Sequence, residues 1–162
     1  MLRAKPTTYR KRQRGLATVE FAITAPLLLL LMLATAELGR AFSQYNTLTK
    51  LARDGARYVS TVALTSAGVM DLTDQKVADT QNLVVFGNKG GTGTPLLSND
   101  VRDLAIEDVQ VTESLGAPLH VQVTVTFPYT PFLAGPLAAF GLSGTNVVGG
   151  FNMTATVTMR AL

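Results

Sequence analysis

Residues 16–36 read LATVEFAITAPLLLLLMLATA, a run of 21 positions whose only charge is Glu20. As a helix rising about 1.5 Å per residue, the run reaches roughly 30 Å, the thickness of a bilayer's hydrocarbon core. Its flanks give it a direction. Six of the fourteen Lys and Arg lie between Arg3 and Arg14, with no acid among them. From Leu16 onward, 8 basic residues face 11 acidic ones. Basic flanks stay on the cytoplasmic side. The sequence therefore predicts a cytoplasmic leader over 1–15, a spanning segment over 16–36, and translocation of everything past about residue 38. The net charge of +3 belongs to the leader and does not describe a nucleic-acid-binding surface.

The remaining composition narrows the function classes. A chain of 162 residues has room for one compact domain and an appendage. Hydrophobic residues at 47% and charged residues at 15% exclude disorder. With no cysteine there is no disulfide, thiolate metal site or thiol nucleophile, and a single histidine, His120, excludes a multi-His metal centre within the chain.

Beyond the span, Leu38, Phe42, Tyr45, Leu48, Ala52, Ala56, Val59 and Val62 recur at steps of three or four, with Arg40, Gln44, Thr47, Lys50, Arg53 and Arg57 between them. This pattern predicts an amphipathic continuation, so that one helix runs from about 17 to 64. Lys50 with Asp54, and Asp54 with Arg57, have the spacing for ion pairs on its wet face. After Thr65 a short helix capped by Asp71 or Thr73 is expected to end near Phe86, followed by a glycine-rich loop over Gly87–Gly93. Period-two alternation then marks strands over Asp108–Glu113, Leu119–Phe127 and Met153–Arg160. The first two are joined by Leu115-Gly116-Ala117-Pro118 and read as a hairpin. A Pro/Gly-rich apolar stretch from Pro128 to Gly150, with a short helix near Phe132–Phe140, leads to the third. The expected fold class is α+β: a long helix, half transmembrane and half amphipathic, with a small antiparallel sheet laid on its apolar stripe over residues 42–63. The outer α+β domain is expected over 65–162.

Several candidate chemistries fail on spacing. Lys89 lies among glycines without the phosphate-cradling pattern. Asp71, Asp74 and Asp79 do not have calcium-loop spacing and read as capping or solvated acids. His120 falls on the polar face of a strand, where solvation or a structural bond is the plain reading. Ser, Asp and His lack a nucleophile elbow. No catalytic residue, cofactor or metal is expected, and the chain reads as a non-enzyme.

The densest signal is the junction Arg12-Gln13-Arg14-Gly15-Leu16-Ala17-Thr18-Val19-Glu20-Phe21. Basic residues, one glycine and an apolar helix with a lone acid follow in that order. An acid at the centre of a spanning helix costs about 2.5–3.5 kcal/mol on insertion scales. A cut after Gly15 would free the Leu16 amine and put Glu20 one turn into a fresh helix, near the positive end of its dipole. The plain alternative for Glu20 is an acid near the helix end that snorkels to the headgroups.

Gly15 through Phe21 resembles a prepilin-peptidase site of type IV pilins and pseudopilins. The longer run, with Pro26, the leucines, Glu37-Leu38-Gly39-Arg40 and Arg53-Asp54-Gly55-Ala56-Arg57, resembles the TadE-like minor pseudopilins of the tight-adherence (Tad, Flp-type) pilus. The resemblance covers about residues 12–60. It implies a pilin-like fold, a cut by prepilin peptidase between Gly15 and Leu16, and packing of the helix among other pilin and pseudopilin subunits, with Glu20 meeting a neighbour's N-terminal amine. It also implies an inner-membrane assembly platform as partner and a lipid bilayer as the site of storage. The related TadF and TadG types remain open. The competing reading is a secretory signal cut after Ala34-Thr35-Ala36, which would release or anchor a binding module. A third is an uncleaved single-pass anchor.

Overall fold

A computed structural model describes residues 13–114, 116–132 and 150–162. Helix α1 spans Gln13–Val62 and α2 spans Asp74–Phe86; a 3₁₀ turn at Ile106–Asp108 leads into β1 (Val109–Glu113), followed by β2 (His120–Tyr129) and β3 (Phe151–Arg160). The chain divides into two compact units, Met1–Leu38 and Gly39–Leu162. Every described residue of the first unit belongs to α1. The leader's residues 1–12, Leu115 of the expected turn, and most of the short helix expected near Phe132–Phe140 lie outside the described residues.

The second unit is built on the C-terminal part of α1. Leu48, Leu51, Ala52, Ala56, Val59 and Ala63 are buried at helical spacing and form one core with Val84 and Val85 of α2, Leu97, Leu104 and the inner face of the sheet. This is the expected α+β arrangement, with one change in the buried stripe. Leu38, Phe42 and Tyr45 are exposed, while Ala41 packs against the core. The fully buried part of the stripe begins at Leu48, so Leu38, Phe42 and Tyr45 precede the stretch of α1 that the core covers. Small side chains on the covered face let the other elements approach. Arg40, Gln44 and Thr47, expected on the wet face, are half-buried. Lys50, Asp54 and Arg57 are exposed and do not pair with one another.

α2 begins after Thr73, which has extended backbone but makes no side-chain cap bond, and Asp74 supplies an acid to the first turn. It stops at Gly87, whose φ of 74° lets its N–H reach back to the Leu83 carbonyl. Gln81 Nε2 donates to the Val109 carbonyl at 2.9 Å and ties α2 to β1. Of the acids expected to cap or to be solvated, Asp71 and Asp79 instead bond to neighbouring side chains. Asp71 pairs with Lys76 at 2.9 Å, and Asp79 accepts from Gln75 Nε2 at 2.7 Å and from the Tyr58 hydroxyl at 3.3 Å. Among the described residues no acidic or His cluster has metal-site geometry.

The sheet has the order β1-β2-β3, antiparallel throughout. Val109 pairs with Val125, Val123 with Val157, and Tyr129 with Phe151. Val121, Val123, Val125, Phe127 and Tyr129 are buried, and between them Thr124 and Thr126 hydrogen-bond across to Thr156 and Thr154 on the outer face. β2 runs two residues past the expected end, through Pro128. The Pro128 carbonyl accepts from Asn99 Nδ2 at 2.6 Å, on the side away from β3. In an antiparallel strand a residue's nitrogen points the same way as its carbonyl. The donor that proline lacks is thus not one the β2–β3 ladder needs. At the other end β2 is shorter than expected. Leu119 has a φ of 58° and turns out of the strand, and His120 Nδ1 lies 2.9 Å from the Pro118 carbonyl. His120 is thus structurally bonded within the turn.

The segment before β1 is pinned by charge. Arg102 forms a two-pronged contact with Asp108, with Nη2 donating to Oδ1 at 2.7 Å and Nη1 to Oδ2, while the Ala105 N–H donates to Asp108 Oδ2 at 2.9 Å. Burial pushes the Asp108 carboxyl up, but the hydrogen bonds from Arg102 and Ala105 outweigh it and hold it below the ordinary aspartate value. The same hydrogen bond with Asp108 raises the Arg102 guanidinium.

Candidate functional site

The residues singled out at the N-terminal junction all lie on the first unit's helix. Leu16, Val19, Phe21, Ile23, Leu27, Leu28, Leu29, Leu31 and Met32 are exposed. A helix apolar on every side, long enough to cross a bilayer, buries that surface only in lipid or among other helices. Pro26 sits inside α1 without ending it. Its missing N–H leaves the Ala22 carbonyl without the usual helical donor. Thr24 and Thr35 keep their hydroxyls out of the apolar surroundings by donating to the carbonyls of Glu20 (2.9 Å) and Met32 (2.7 Å).

Glu20 is exposed on this helix, one position before Phe21. Among the described residues its carboxylate has no hydrogen-bond or ionic partner. Gly15 and Leu16 are helical and lie close to the first described residue of α1.

The three glycines of the junction and motif behave differently. A β-carbon on Gly15 or Gly39 would meet nothing within 4 Å. On Gly55 it would overlap Val84 Cγ2 of α2 and touch Thr80 Cγ2 and Val123 Cγ1, each at 3.5 Å. Gly55 is therefore explained by the fold, as the point where α1, α2 and β2 converge. Glycine in a helix costs about 1 kcal/mol relative to alanine, and packing offers no return for that cost at Gly15 or Gly39.

Arg40 has a structural task that the sequence pattern did not signal. Its Nη2 donates to the Thr130 carbonyl at 2.6 Å, and the guanidinium carbon lies 5.6 Å from the centre of the Tyr129 ring. It thereby clips α1 to the exit of β2. The alternation Phe127, Tyr129 was the available hint of that exit, obscured by Pro128. Arg53 and Arg57 are exposed; Glu37 is half-buried. The structure thus separates the motif positions into two groups: Gly55 and Arg40 within the second unit's packing, and Gly15, Leu16, Glu20, Phe21 and Pro26 on an apolar helix.

Residues 15–57 of the chain match the family described as TadE-like protein. The match begins at the junction glycine and ends at Arg57, so that this part of the chain is similar to that family. No curated protein sequence and no solved structure matches it.

Proposed function

We propose that this TadE-like chain is a minor pseudopilin that takes part in assembling a Tad-type adhesion pilus, and that its work is assembly and not catalysis. The observation that carries the reading is the family match over residues 15–57, which starts at Gly15 and includes Glu20, Pro26, Glu37, Arg40, Gly55 and Arg57. In this reading the chain is stored in the bacterial inner membrane as a single-pass protein. Its basic leader is cytoplasmic and the unit from Gly39 onward lies outside. Prepilin peptidase cuts after Gly15. The all-round apolar helix then passes from lipid into a bundle of other pilin and pseudopilin subunits at the assembly platform. Glu20 selects the register, because a carboxylate in a low-dielectric bundle is tolerated only where a cation meets it. The cation available in such a bundle is a neighbour's freed N-terminal amine.

Two features support a cut at Gly15 over a signal-peptidase cut after Ala36. The open space around Gly15 leaves its lack of a side chain unexplained by packing. A cut after Ala36 would fall in the middle of α1, whose helix is continuous from Gln13 to Val62.

The deciding experiment is a mass spectrum of the N-terminal peptide from protein recovered from membranes, beside a Gly15→Leu variant. A peptide beginning at Leu16, and accumulation of the full-length precursor for the variant, are expected. A peptide beginning at Glu37 would replace this reading with that of a conventionally secreted module.

A further inference from the structure

The two edges of the sheet are finished differently. β1 is 5 residues long and ends on Glu113. Its edge is closed at Val109, whose N–H donates to the Ile106 carbonyl and whose carbonyl accepts from Gln81 Nε2 of α2 at 2.9 Å. β3 is 10 residues long, contains no proline and pairs with β2 without a bulge. Its one charge is Arg160, the last residue. Folded proteins ordinarily blunt a sheet edge with a short strand, charge, proline, a bulge or a covering element. β1 has such devices. Among the described residues the far edge of β3 has none along Phe151–Met159.

The register identifies the groups that this edge presents. The His120 carbonyl accepts from the Ser114 N–H just past β1, and the Pro128 carbonyl accepts from Asn99. Even-numbered residues of β2 thus turn their backbone groups toward β1, and odd-numbered ones toward β3. Opposite the odd ones stand Phe151, Met153, Ala155, Val157 and Met159. Between these, Asn152, Thr154, Thr156, Thr158 and Arg160 aim their N–H and C=O groups away from the sheet. Among the described residues no hydrogen-bond partner meets those groups. All of these five residues are exposed, and on the inner face Val157 and Met159 are only half-buried.

We infer that the far edge of β3 accepts an extended strand from another polypeptide, which adds a fourth strand to the sheet. The outward N–H and C=O groups supply affinity, and side chains at alternate positions supply selection. Beside Met153, Ala155, Val157 and Met159 the incoming strand needs apolar side chains, and beside the threonines short polar ones. Beside Arg160, which has no ion pair among the described residues, it needs an acid. That requirement points to a foreign strand over a second copy of this chain. Two β3 strands paired antiparallel about Thr156 would set Arg160 opposite Asn152, and from Ser114 to Leu162 there is no Asp or Glu. The strand site belongs to the unit from Gly39 onward and is independent of the pilus reading.

The probe is a fluorescent peptide, Glu-Val-Thr-Val-Thr-Val-Thr-Val-Thr, whose acid falls beside Arg160 when it lies antiparallel to β3. It is made in two N-methylated forms and titrated by anisotropy into the full detergent-solubilised chain. Methyl groups on the valine nitrogens sit on the peptide's far side, whereas those on the threonine nitrogens remove the donors that face β3. The valine-methylated form is expected to bind, and the threonine-methylated form to bind about tenfold or more weakly. Thr156→Pro, which removes an outward N–H that β2 does not use, should weaken the first form comparably; the two peptides decide the matter even if this variant fails to fold. Lys in place of the peptide's Glu should also weaken it. No binding of the valine-methylated form, or equal binding of the two forms, would overturn strand addition. Undiminished binding of the Lys peptide, or a dimer of the chain in sedimentation that Thr156→Pro dissociates, would overturn the assignment to a foreign acidic strand.

Discussion

Gly55 on α1 faces Val84 on α2 so closely that a β-carbon on the glycine would overlap the valine's Cγ2 methyl. Val84 is fully buried, and the Thr80 and Val123 methyls close the other sides. The unit from Gly39 onward therefore depends on an absent side chain at the convergence of two helices and the central strand.

Gly55→Ala should destabilise the detergent-solubilised chain by about 1–3 kcal/mol, the usual cost of forcing a methyl into a packed core. Gly39→Ala, placed in open space, should be neutral or stabilise by up to about 1 kcal/mol. Thermal unfolding followed by circular dichroism compares the two. Equal effects would show that the close approach at Gly55 is relieved at no cost.

Val123→Asp should cost several kcal/mol, since it buries a charge with no partner in the core. Thr124→Asp, on the outer face beside Thr156, should cost about 1 kcal/mol or less. Denaturant unfolding of the full chain measures both. Similar midpoints for the two variants would mean that the two faces of β2 are wrongly assigned.

Much of this architecture was legible in the sequence because period two and period 3.6 are sharp in Val121–Phe127 and Leu48–Val59. The misread positions share a physical character. Leu119 looks like one more inward residue of a strand, yet it takes a left-handed backbone to close the turn, and no side-chain pattern records φ. Phe42 and Tyr45 look like core residues because they continue the stripe buried from Leu48 to Val59, and side-chain spacing does not record where the covering elements stop. Arg40 looks solvent-facing because a guanidinium that finds a carbonyl and a ring 90 residues away leaves no local trace. At the junction, by contrast, Gly15 and Glu20 were conspicuous because each breaks a local rule of helix or membrane chemistry.

The Asp108 carboxyl is held below its ordinary value in the folded chain, so acid should act on it in a defined direction. As pH falls, the unfolded chain takes up the proton first, near the ordinary aspartate value of about 3.9. The stability contributed by Asp108 is fully present above that value and is lost as pH falls through the lower folded one. Unfolding midpoints of Asp108→Asn and the parent chain, measured from neutral pH into this window, should converge as acid is added. A constant gap would show that the Arg102–Asp108 contact adds no proton-linked stability.

Glu20→Leu should leave membrane insertion and processing intact, since it removes the one charge from the apolar run. Recovery of the chain with other pilus subunits should fall. Glu20→Asp, with the same charge on a shorter arm, should recover part of it. Co-purification, with the N-terminal peptide checked in parallel, reads both effects. Undiminished recovery with leucine would reduce Glu20 to a passive residue of the span.

β3 carries a consequence for the order in which the second unit folds. It supplies one side of the central strand, and beyond it the Leu162 N–H donates to the Ser60 carbonyl on α1 at 2.9 Å. The helix is thus closed by a segment about 100 residues further along the chain, the kind of contact that forms late. Under the proposed orientation, Leu48, Ala52, Ala56 and Val59 emerge on the outer side well before their covering exists. The unit passes a window in which its helix is displayed bare, and a chain stopped before Phe151 should remain in it, cut readily by protease within 39–132 where the complete chain resists.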